Sequence, residues 1–588
     1  MSSTNSLHLS TDLRAAGALK HFRCALPLAL FMGLTAHAQV NPAAALRQNS
    51  IIERQQQDRL REEQERALPQ PGAPGGTDLK SIQPQVAVPD IGAPCRNVDR
   101  IEISGAELLP APIKNDLVRD YAGRCLAASD LEAILATLTK NYIDRGYITT
   151  RAYLPAQDLR SGTLQVAVVE GSIERFELQQ SGRVGNTVNL AGAFPAKPGD
   201  RLNLRDLEQG IDQVNSLSSN NATLDVQPGT QPGQSVVLVR NQASFPVHLY
   251  ATYDNLGTPA TGRDAASATV SFDGLLGLNE MVAVTRRQSI PNDSEHNSDS
   301  TALRAVVPFG YNTFSLDISE SQYVNVLQLP SGYKLASDGT TETQALGMDR
   351  VVFRDQASRI SLSGHLTAQD TRSFLGGEYL SVSSRKLTTL DFGGAAFTQA
   401  AGGILNGRLA YVRGIKGLDA LDDMDGLPES LPHAQFGKLT LDAGYSRRFE
   451  AASQAFQWSS QFSGQASSDT LYGTQQFLIG GASSVRGSLE NVLSGDSGWF
   501  IRNDISLPWQ MQLGGESVAA RVYAGYDFGS VHNNAPGVPE GSMSGVAIGF
   551  AMQWRSVSLD LFASHAGHLP SWMPSEGTLF AVRLSAAL

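Results

Sequence analysis

The sequence predicts a transmembrane β-barrel of about 16 antiparallel strands, preceded by two small α+β domains and an amino-terminal helix. Three observations predict this fold class. Residues 244–588 repeat amphipathic strand patterns between polar, glycine-rich connections. Residues 95–243 contain the same order of strands and helices twice. Ahead of both repeats lies a helix-forming run whose surface is polar nearly all round.

The amino terminus, residues 1–38, has the features of a secretory signal peptide. Three basic residues precede the apolar run 25–34, and a small-residue cleavage site ends at Ala38. The apolar run is too short to span a bilayer. We therefore expect cleavage after Ala38, which places the mature chain outside the cytoplasm.

Cleavage would remove Cys24 and leave Cys95 and Cys125, the other cysteines of the chain, in an oxidising compartment. A disulfide between them is expected there. From chain entropy alone, closing a loop of that length stabilises a fold by about 3–4 kcal/mol. The alternative is a pair of buried free thiols.

Residues 39–68 are predicted to form one helix. Asn41 can cap it, Pro42 suits its first turn, and no breaker follows before Pro69. Between Ala43 and Ala67, five arginines balance five acids, and only four side chains are large and apolar. Such a helix suits neither an apolar core nor lipid. It is either a solvated arm or a helix that fills a water-lined pore.

A linker of residues 69–94 follows, with six prolines and four glycines. At about 3 Å per residue its reach is on the order of 75 Å. That length is enough to join a membrane pore to a periplasmic domain. It suits a helix that must leave and re-enter the pore.

Two α+β domains are predicted at residues 95–171 and 172–243. The first has strand 100–104, helices near 113–121 and 129–145, and strands 147–154 and 162–169. The second has strand 173–178, helix 204–217, and strands 222–226 and 235–239. Paired repeats of one unit indicate a recognition arm, whose strand edges could bind an extended polypeptide by β-augmentation. The alternative is a pair of spacers.

Strand alternation places one acidic residue inside the barrel. In strand 518–528 the even-numbered residues are apolar, so Asp527 faces the polar lumen. Arg486 lies in the irregular segment 468–498, which strand parity assigns to the extracellular side. If that segment folds inward, a bidentate contact between Arg486 and Asp527 would pin it inside the pore. Alternatively, the two residues are unrelated polar groups.

Two further residues are expected beside that pair. Arg502 and Asp504 lie on the lumen face of the strand that follows the irregular segment, and they could complete a polar network there.

Residues 475–487, Gln-Gln-Phe-Leu-Ile-Gly-Gly-Ala-Ser-Ser-Val-Arg-Gly, resemble the lumen-loop motif of two-partner secretion transporters, the TpsB family. This family includes the haemolysin and filamentous-haemagglutinin secretion/activation proteins, within the POTRA-barrel superfamily. Residues 525–529, Gly-Tyr-Asp-Phe-Gly, resemble the strand motif whose aspartate pairs with the loop arginine. Residues 146–155 and 162–171 resemble the family's first POTRA domain, and residues 249–257 its first barrel strand.

The resemblance implies an outer-membrane transporter that exports a large partner exoprotein from periplasm to cell surface. That partner would be an adhesin, a haemolysin or a contact-dependent toxin. Residues 95–171 and 172–243 would be periplasmic POTRA domains that bind it, and residues 39–68 a plug helix. Val485, Arg486 and Gly487 would form the tip of the lumen loop, held by Asp527. We expect a monomer that contacts outer-membrane lipid.

Other chemistry is not expected. A net charge of -11 argues against nucleic acid as a partner, because phosphate binding needs a basic face. Residues 495–498 match the short signature of a serine-protease nucleophile, but no positioned histidine and acid are suggested nearby. His565 and His568 have no neighbouring cysteine or acid to complete a metal site. No phosphate-binding loop occurs. We therefore expect no enzyme activity, metal or cofactor.

Two other functions share part of this pattern. A barrel-assembly factor would have the same lumen loop, but such proteins usually carry more POTRA units and no plug helix. A passive porin would need no tandem periplasmic repeats. The pair of repeats and the amino-terminal helix therefore favour export of a partner protein.

Overall fold

The computed structural model describes residues 42–67, 79, 83–84, 94–182, 188–328 and 332–588. The predicted signal peptide, residues 1–38, lies outside the described residues, and so does most of the predicted linker 69–94. Within the described part, no helix is both long enough and apolar enough to cross a membrane.

The amino-terminal helix, α1, spans Pro42–Ala67. Proline at the first position costs no hydrogen bond, because the first four N–H groups of a helix have no partner within it. Ion pairs one turn apart run along the helix, among them Arg54 with Asp58 and Arg66 with Glu62. These pairs support the helix on its polar faces.

The first domain packs helices against a three-stranded sheet. Its elements are β1 (Arg96–Val98), β2 (Arg100–Ser104), α2 (Ala111–Tyr121), β3 (Arg124–Leu126), α3 (Ala128–Ile143), β4 (Arg151–Tyr153) and β5 (Thr163–Val169). The sheet order is β2-β5-β4, with β2 parallel to β5. Ile134 and Leu138 of α3 pack on Leu164 and Val166 of β5 in the buried core.

Cys95 and Cys125 form a disulfide with their Cα atoms 5.3 Å apart. The bond ties the residue before β1 to the middle of β3, and these two strands pair with each other. Neither strand is in the prediction, because three residues are too few to show an alternating pattern.

The predicted strand 147–154 is wrong over its first half. Only Arg151–Tyr153 is a strand, and residues 147–150 form turns. Helix α3 ends just before, and the Tyr147 N–H donates back to the Tyr142 carbonyl over 3.0 Å. The two rings also meet edge to face, with centroids 6.2 Å apart. This closure of the helix end overrides the β propensity of the aromatic and β-branched residues.

The second domain repeats the first with longer strands. Its elements are β6 (Ser172–Gly182), α4 (Leu190–Ala193), α5 (Leu204–Asn215), β7 (Ala222–Pro228) and β8 (Gln234–Ala243). The sheet order is β6-β8-β7, with β6 parallel to β8. The prediction ended β6 at residue 178, but pairing with β8 carries it to Gly182.

Of the remaining strands, 16 close into one antiparallel barrel, which confirms the predicted fold class; a two-residue strand extends one wall strand, and two more strands form a hairpin in a loop. In chain order they are β9 (Val247–Asp254), β10 (Asp264–Asp273), β11 (Met281–Ile290), β12 (His296–Phe309), β13 (Asn312–Gln328), β14 (Lys334–Arg354), β15 (Ser358–Leu375), the short β16 (Glu378–Tyr379), β17 (Arg385–Ala400), β18 (Gly403–Ile415), β19 (Gly437–Ala451), β20 (Gln454–Ser467), the loop strands β21 (Phe477–Ile479) and β22 (Leu493–Gly495), β23 (Ser497–Leu513), β24 (Glu516–His532), β25 (Gly541–Trp554), β26 (Val557–His568) and β27 (Thr578–Ala587). The barrel closes where β27 pairs with β9, from Arg583 opposite Asp254 to Ala587 opposite Tyr250.

The barrel wall has an apolar outside and a polar inside. Large apolar side chains of alternate residues are exposed on the outer face, among them Val284, Ile318, Leu362, Ile548 and Phe580. Residues of the opposite parity are mostly small or polar. This alternation is what a strand wall between lipid and water requires.

Candidate functional site

The lumen loop joins β20 to β23 and is formed by residues 468–496. Strands β21 and β22 pair as a short antiparallel hairpin inside it. Beyond this hairpin, the N–H of Gly481 donates to the Ser488 carbonyl over 2.8 Å and closes the tip. The predicted segment, 468–498, extends two residues into β23.

At the tip of the lumen loop, Arg486 meets Asp527 of β24. Its Nε donates to Asp527 Oδ2 over 2.6 Å and its Nη2 donates to Oδ1 over 2.7 Å. The Arg486 main-chain N–H also donates to Oδ2, over 3.0 Å. The arginine is 1% exposed and the aspartate 0%. The structure therefore brings together two of the predicted site residues in a buried bidentate contact.

Two more charged side chains of β23 complete this network. Nη2 of Arg486 donates to Asp504 Oδ1 over 2.8 Å. Arg502 donates to the carbonyl of Ala482, on the same loop, over 2.7 Å. Its Nε lies 3.9 Å from Asp504 Oδ2. The two arginines and two aspartates balance in charge, which lowers the cost of placing them away from bulk water.

The residues on either side of Arg486 fit their surroundings closely. Val485 is buried in an apolar cluster whose other fully buried members are Ile479, Leu493, Phe500, Val531, Met543 and Met573. Gly487 has a φ of +105°, and a Cβ there would lie 2.4 Å from the main-chain carbon of His565. Only glycine satisfies both the left-handed backbone and the close approach.

The strand wall also makes room for the guanidinium. A Cβ on Gly525 of β24 would lie 2.1 Å from Nη2 of Arg486 and 2.3 Å from Oδ1 of Asp504. Gly525 therefore explains why a glycine stands two residues before Asp527 in the strand motif. The prediction used this glycine as a motif residue but did not give it this role.

Asp496 is a functional residue that the sequence analysis missed. It stands in the signature that resembles a serine-protease nucleophile, yet its carboxylate is buried and organises the base of the lumen loop. It accepts from the N–H groups of Leu471 and Asn534, each over 2.8 Å, and from the Gln476 side chain over 3.1 Å. The available signal in the sequence was an aspartate directly before a barrel strand.

Helix α1 lies against the inner wall of the barrel. Its side chains form hydrogen bonds with inward-facing groups of five strands. The partners are Asn49 with Ser337, Glu53 with Ser373, Gln56 with Ser298 and the Gln322 carbonyl, and Glu63 with Ser267, over 2.8–3.0 Å. A polar helix is therefore buried among polar wall groups. Of the two predicted alternatives, a solvated arm and a helix inside a water-lined pore, this arrangement fits the second.

The helix also contacts the lumen loop and the place where β27 and β9 close the barrel. Arg287 of β11 lies 3.5 Å from Glu63 and donates twice to Asp254 of β9, over 3.1 and 3.2 Å. Arg54 donates to the Thr474 carbonyl of the loop over 3.2 Å. Helix and loop thus occupy the same lumen and touch each other.

The described residues offer no metal centre. Across residues 42–67, 94–182, 188–328 and 332–588, His, Cys, Asp and Glu side chains form no group of three or more that could hold an ion.

Comparisons with known families cover most of the chain. Residues 233–552 match the family described as haemolysin secretion/activation protein ShlB/FhaC/HecB. Residues 97–171 match the ShlB-type POTRA domain, and residues 172–228 match a further POTRA domain family.

Individual relatives and a solved structure agree with these family matches. The chain is 30% identical to the outer membrane transporter CdiB of Dickeya dadantii over 93% of this chain and 95% of the relative. It is 30% identical to the hemolysin transporter protein ShlB of Serratia marcescens over 88% of this chain and 87% of the relative. CdiB from Escherichia coli superimposes with a TM-score of 0.83 at 30% identity, covering 94% of this chain and 100% of that structure. The chain belongs to the ShlB/FhaC/HecB family and is an outer-membrane transporter of two-partner secretion.

Proposed function

We propose that this transporter binds one large exoprotein in the periplasm and passes it, unfolded, through the barrel lumen to the cell surface. The observation that carries the proposal is the content of the lumen. A polar helix and a pinned loop lie in it: the helix is held by hydrogen bonds that water could replace, and the loop by a buried ion pair. The named relatives transport a haemolysin or carry the name CdiB, so a haemolysin, an adhesin or a contact-dependent toxin is the class of exoprotein expected here.

The two POTRA domains provide the binding surface. In the described residues, the order β2-β5-β4 leaves β2 and β4 with one strand neighbour each, and β6-β8-β7 does the same for β6 and β7. Tyr153 at the end of β4 is half exposed. An extended segment of the exoprotein can add to such an edge through main-chain hydrogen bonds.

Helix α1 acts as a plug that must leave the lumen before export. Each of its hydrogen bonds to the wall contributes about 0.5–1.5 kcal/mol net, because water competes for the same groups. Binding of the exoprotein to the POTRA domains can therefore shift the helix out of the lumen. The linker of residues 69–94, with a reach of about 75 Å, allows the helix to move without unfolding either neighbour.

The lumen loop remains as the fixed element. Arg486 anchors it to Asp527, while Val485 and Gly487 shape its tip. The barrel wall of one chain encloses the whole lumen, so a monomer suffices for transport. No catalytic step is part of this proposal, and no cofactor is needed. The Ser497 hydroxyl of the protease-like signature donates to the Ser467 carbonyl over 3.2 Å, which is a structural contact.

The test is secretion by an Arg486→Ala variant. It is co-expressed with the exoprotein expected in the adjacent reading frame, and the exoprotein at the cell surface and in the medium is measured. We expect the variant to insert into the outer membrane and to secrete poorly. Arg555→Ala is the matched control, because Arg555 pairs with Glu516 at an exposed turn far from the lumen loop. Normal secretion by Arg486→Ala would contradict the proposed anchor.

A further inference from the structure

A second carboxylate holds the lumen loop from outside. It belongs to Glu576, in the connection of residues 569–577 between β26 and β27. The carboxylate accepts from three consecutive main-chain N–H groups of the lumen loop, those of Leu489, Glu490 and Asn491, over 2.9, 3.1 and 2.9 Å. The Ser488 hydroxyl and the Asn491 side-chain amide also donate to it.

The same connection makes an independent apolar contact with the loop. Met573 is buried in the cluster that contains Val485, the residue before Arg486. The side-chain amide of Asn491 also donates to the Pro574 carbonyl over 2.8 Å. Residues 569–577 therefore cover the outer side of the loop with both polar and apolar contacts.

The donors around Glu576 favour its charged form. Partial burial alone would raise the pKa of this carboxyl. The hydrogen bonds from Ser488 and from the N–H groups of residues 489–491 outweigh burial and hold the pKa below its usual range. The carboxylate is consequently ionised at neutral pH, and several donors directed at one charged acceptor form a strong contact.

We propose that Glu576 is a positioning residue that latches the outer limb of the lumen loop, residues 488–491, to the extracellular face of the barrel. The loop is then held at two places, by Asp527 at its tip and by Glu576 on its outer limb. Release of Glu576 frees the outer limb while Arg486 stays bound, which widens the exit of the pore without losing the anchor. This second step rests on the proposed export function, whereas the latch itself does not.

Hydrogen exchange on the purified full-length protein in detergent tests the latch. Glu576→Gln removes the charge and replaces one of the two acceptor oxygens with an NH2 group, so at least one loop N–H loses its acceptor and the others face a neutral one. We expect the amides of residues 489–491 to exchange faster by about tenfold or more, with little change in the strands of the barrel. Asp422→Asn is the control, because it removes a carboxylate that pairs with Lys416 on another extracellular connection. Unchanged exchange at residues 489–491 would overturn the latch.

A secretion assay tests its role in transport. We expect Glu576→Gln to insert as a folded barrel, shown by heat-dependent migration in electrophoresis, and to secrete several-fold less exoprotein than the Asp422→Asn control. If exchange rises in Glu576→Gln but its secretion stays normal, the positioning role of Glu576 in export is wrong. Normal secretion by Arg486→Ala would contradict the proposed anchor. Each failure is therefore seen in a different variant.

A second variant covers the case in which Glu576→Gln does not insert. Asn491→Asp weakens the same contact from the loop side by placing a like charge beside Glu576. It should raise exchange at residues 489–490 and lower secretion in the same way. Normal exchange in this variant would also overturn the latch.

Discussion

Arg486 and Asp527 are stable inside the barrel only as a pair. Each has lost almost all contact with water, so removing Arg486 leaves the buried carboxylate of Asp527 without its guanidinium, and removing Asp527 leaves Arg486 with Asp504 alone. The guanidinium geometry matters as much as its charge, because two parallel bonds reach Asp527 while Nη2 also reaches Asp504. The residue-scale predictions follow from this geometry.

The first concerns Arg486→Lys. An ammonium group keeps the charge but cannot donate two parallel bonds to one carboxylate and a third to Asp504. We expect the variant to lose most secretion and to destabilise the loop by less than Arg486→Ala, which should cost about 3–5 kcal/mol. Urea unfolding and the secretion assay measure the two effects. Secretion equal to that of the parent would show that charge alone is sufficient.

The second concerns Gly525→Ala. The added methyl group would overlap the guanidinium of Arg486, so we expect the contact with Asp527 to be displaced and secretion to fall as in Arg486→Ala. Gly364→Ala in β15 is the matched control, because its Cβ would find its nearest neighbour, an atom of Phe392, at 3.7 Å. Equal secretion by the two alanine variants would contradict the close packing at Gly525.

At the scale of elements, the lumen contains one helix and one loop that the wall holds by side-chain contacts. Residue patterns predicted the helix and the irregular loop, whereas their place in the lumen was implied by the family resemblance. Strands β1 and β3 could not be predicted, since three residues show no period. Glu576 was missed for another reason: it lies 88 residues from Ser488 in sequence, and only the closure of the barrel brings them together.

Helix α1 offers an element-scale prediction. Glu63→Ala removes its contacts with Ser267 and Arg287, so we expect the helix to leave the lumen more often and the single-channel conductance in planar bilayers to rise. Deleting residues 41–67 should raise conductance further. Glu65→Ala is the control, because Glu65 pairs with Arg61 within the helix. Conductance that is unchanged by the deletion would contradict a plug.

The disulfide between Cys95 and Cys125 gives a second prediction at the scale of elements. Replacing Cys95 and Cys125 by serine should destabilise the first POTRA domain by about 3 kcal/mol, because the bond restrains the unfolded chain. We expect faster hydrogen exchange in β1 and β3 of the full-length protein, with the barrel strands unaffected. Equal exchange in the oxidised protein and the double serine variant would show that the bond adds no stability.

Across the whole molecule, the second POTRA domain is fixed to the periplasmic rim of the barrel. The Gln213 side chain of α5 donates to the Gly310 carbonyl over 2.8 Å, and the Tyr311 hydroxyl donates to Asp206. These contacts bring together residues about a hundred positions apart, which strand and helix patterns do not reveal. The first POTRA domain precedes the second in the chain, so under the proposed function the second sets where a bound exoprotein would meet the pore.

Arg354, at the end of β14, is the centre of that junction. Its side chain is 2% exposed and lies between three residues of α5: it donates to Asp212 over 2.6 Å and to Gln209 over 3.2 Å, and it lies 3.7 Å from Glu208. Arg354→Ala would remove this cation from beside two carboxylates that keep Arg205 and Arg359 as neighbours, a loss of about 1–3 kcal/mol at the junction.

We therefore expect Arg354→Ala to loosen the second POTRA domain while the barrel keeps its stability. Spin labels on α5 and on a barrel turn should show a broader distance distribution, and secretion should fall because the exoprotein is no longer delivered to the pore. Arg350→Ala on the same strand is the control, since its side chain donates only to Asn312, over 3.2 Å, and is exposed. A distance distribution as narrow as that of the control would mean that the other contacts of α5 suffice to fix the domain.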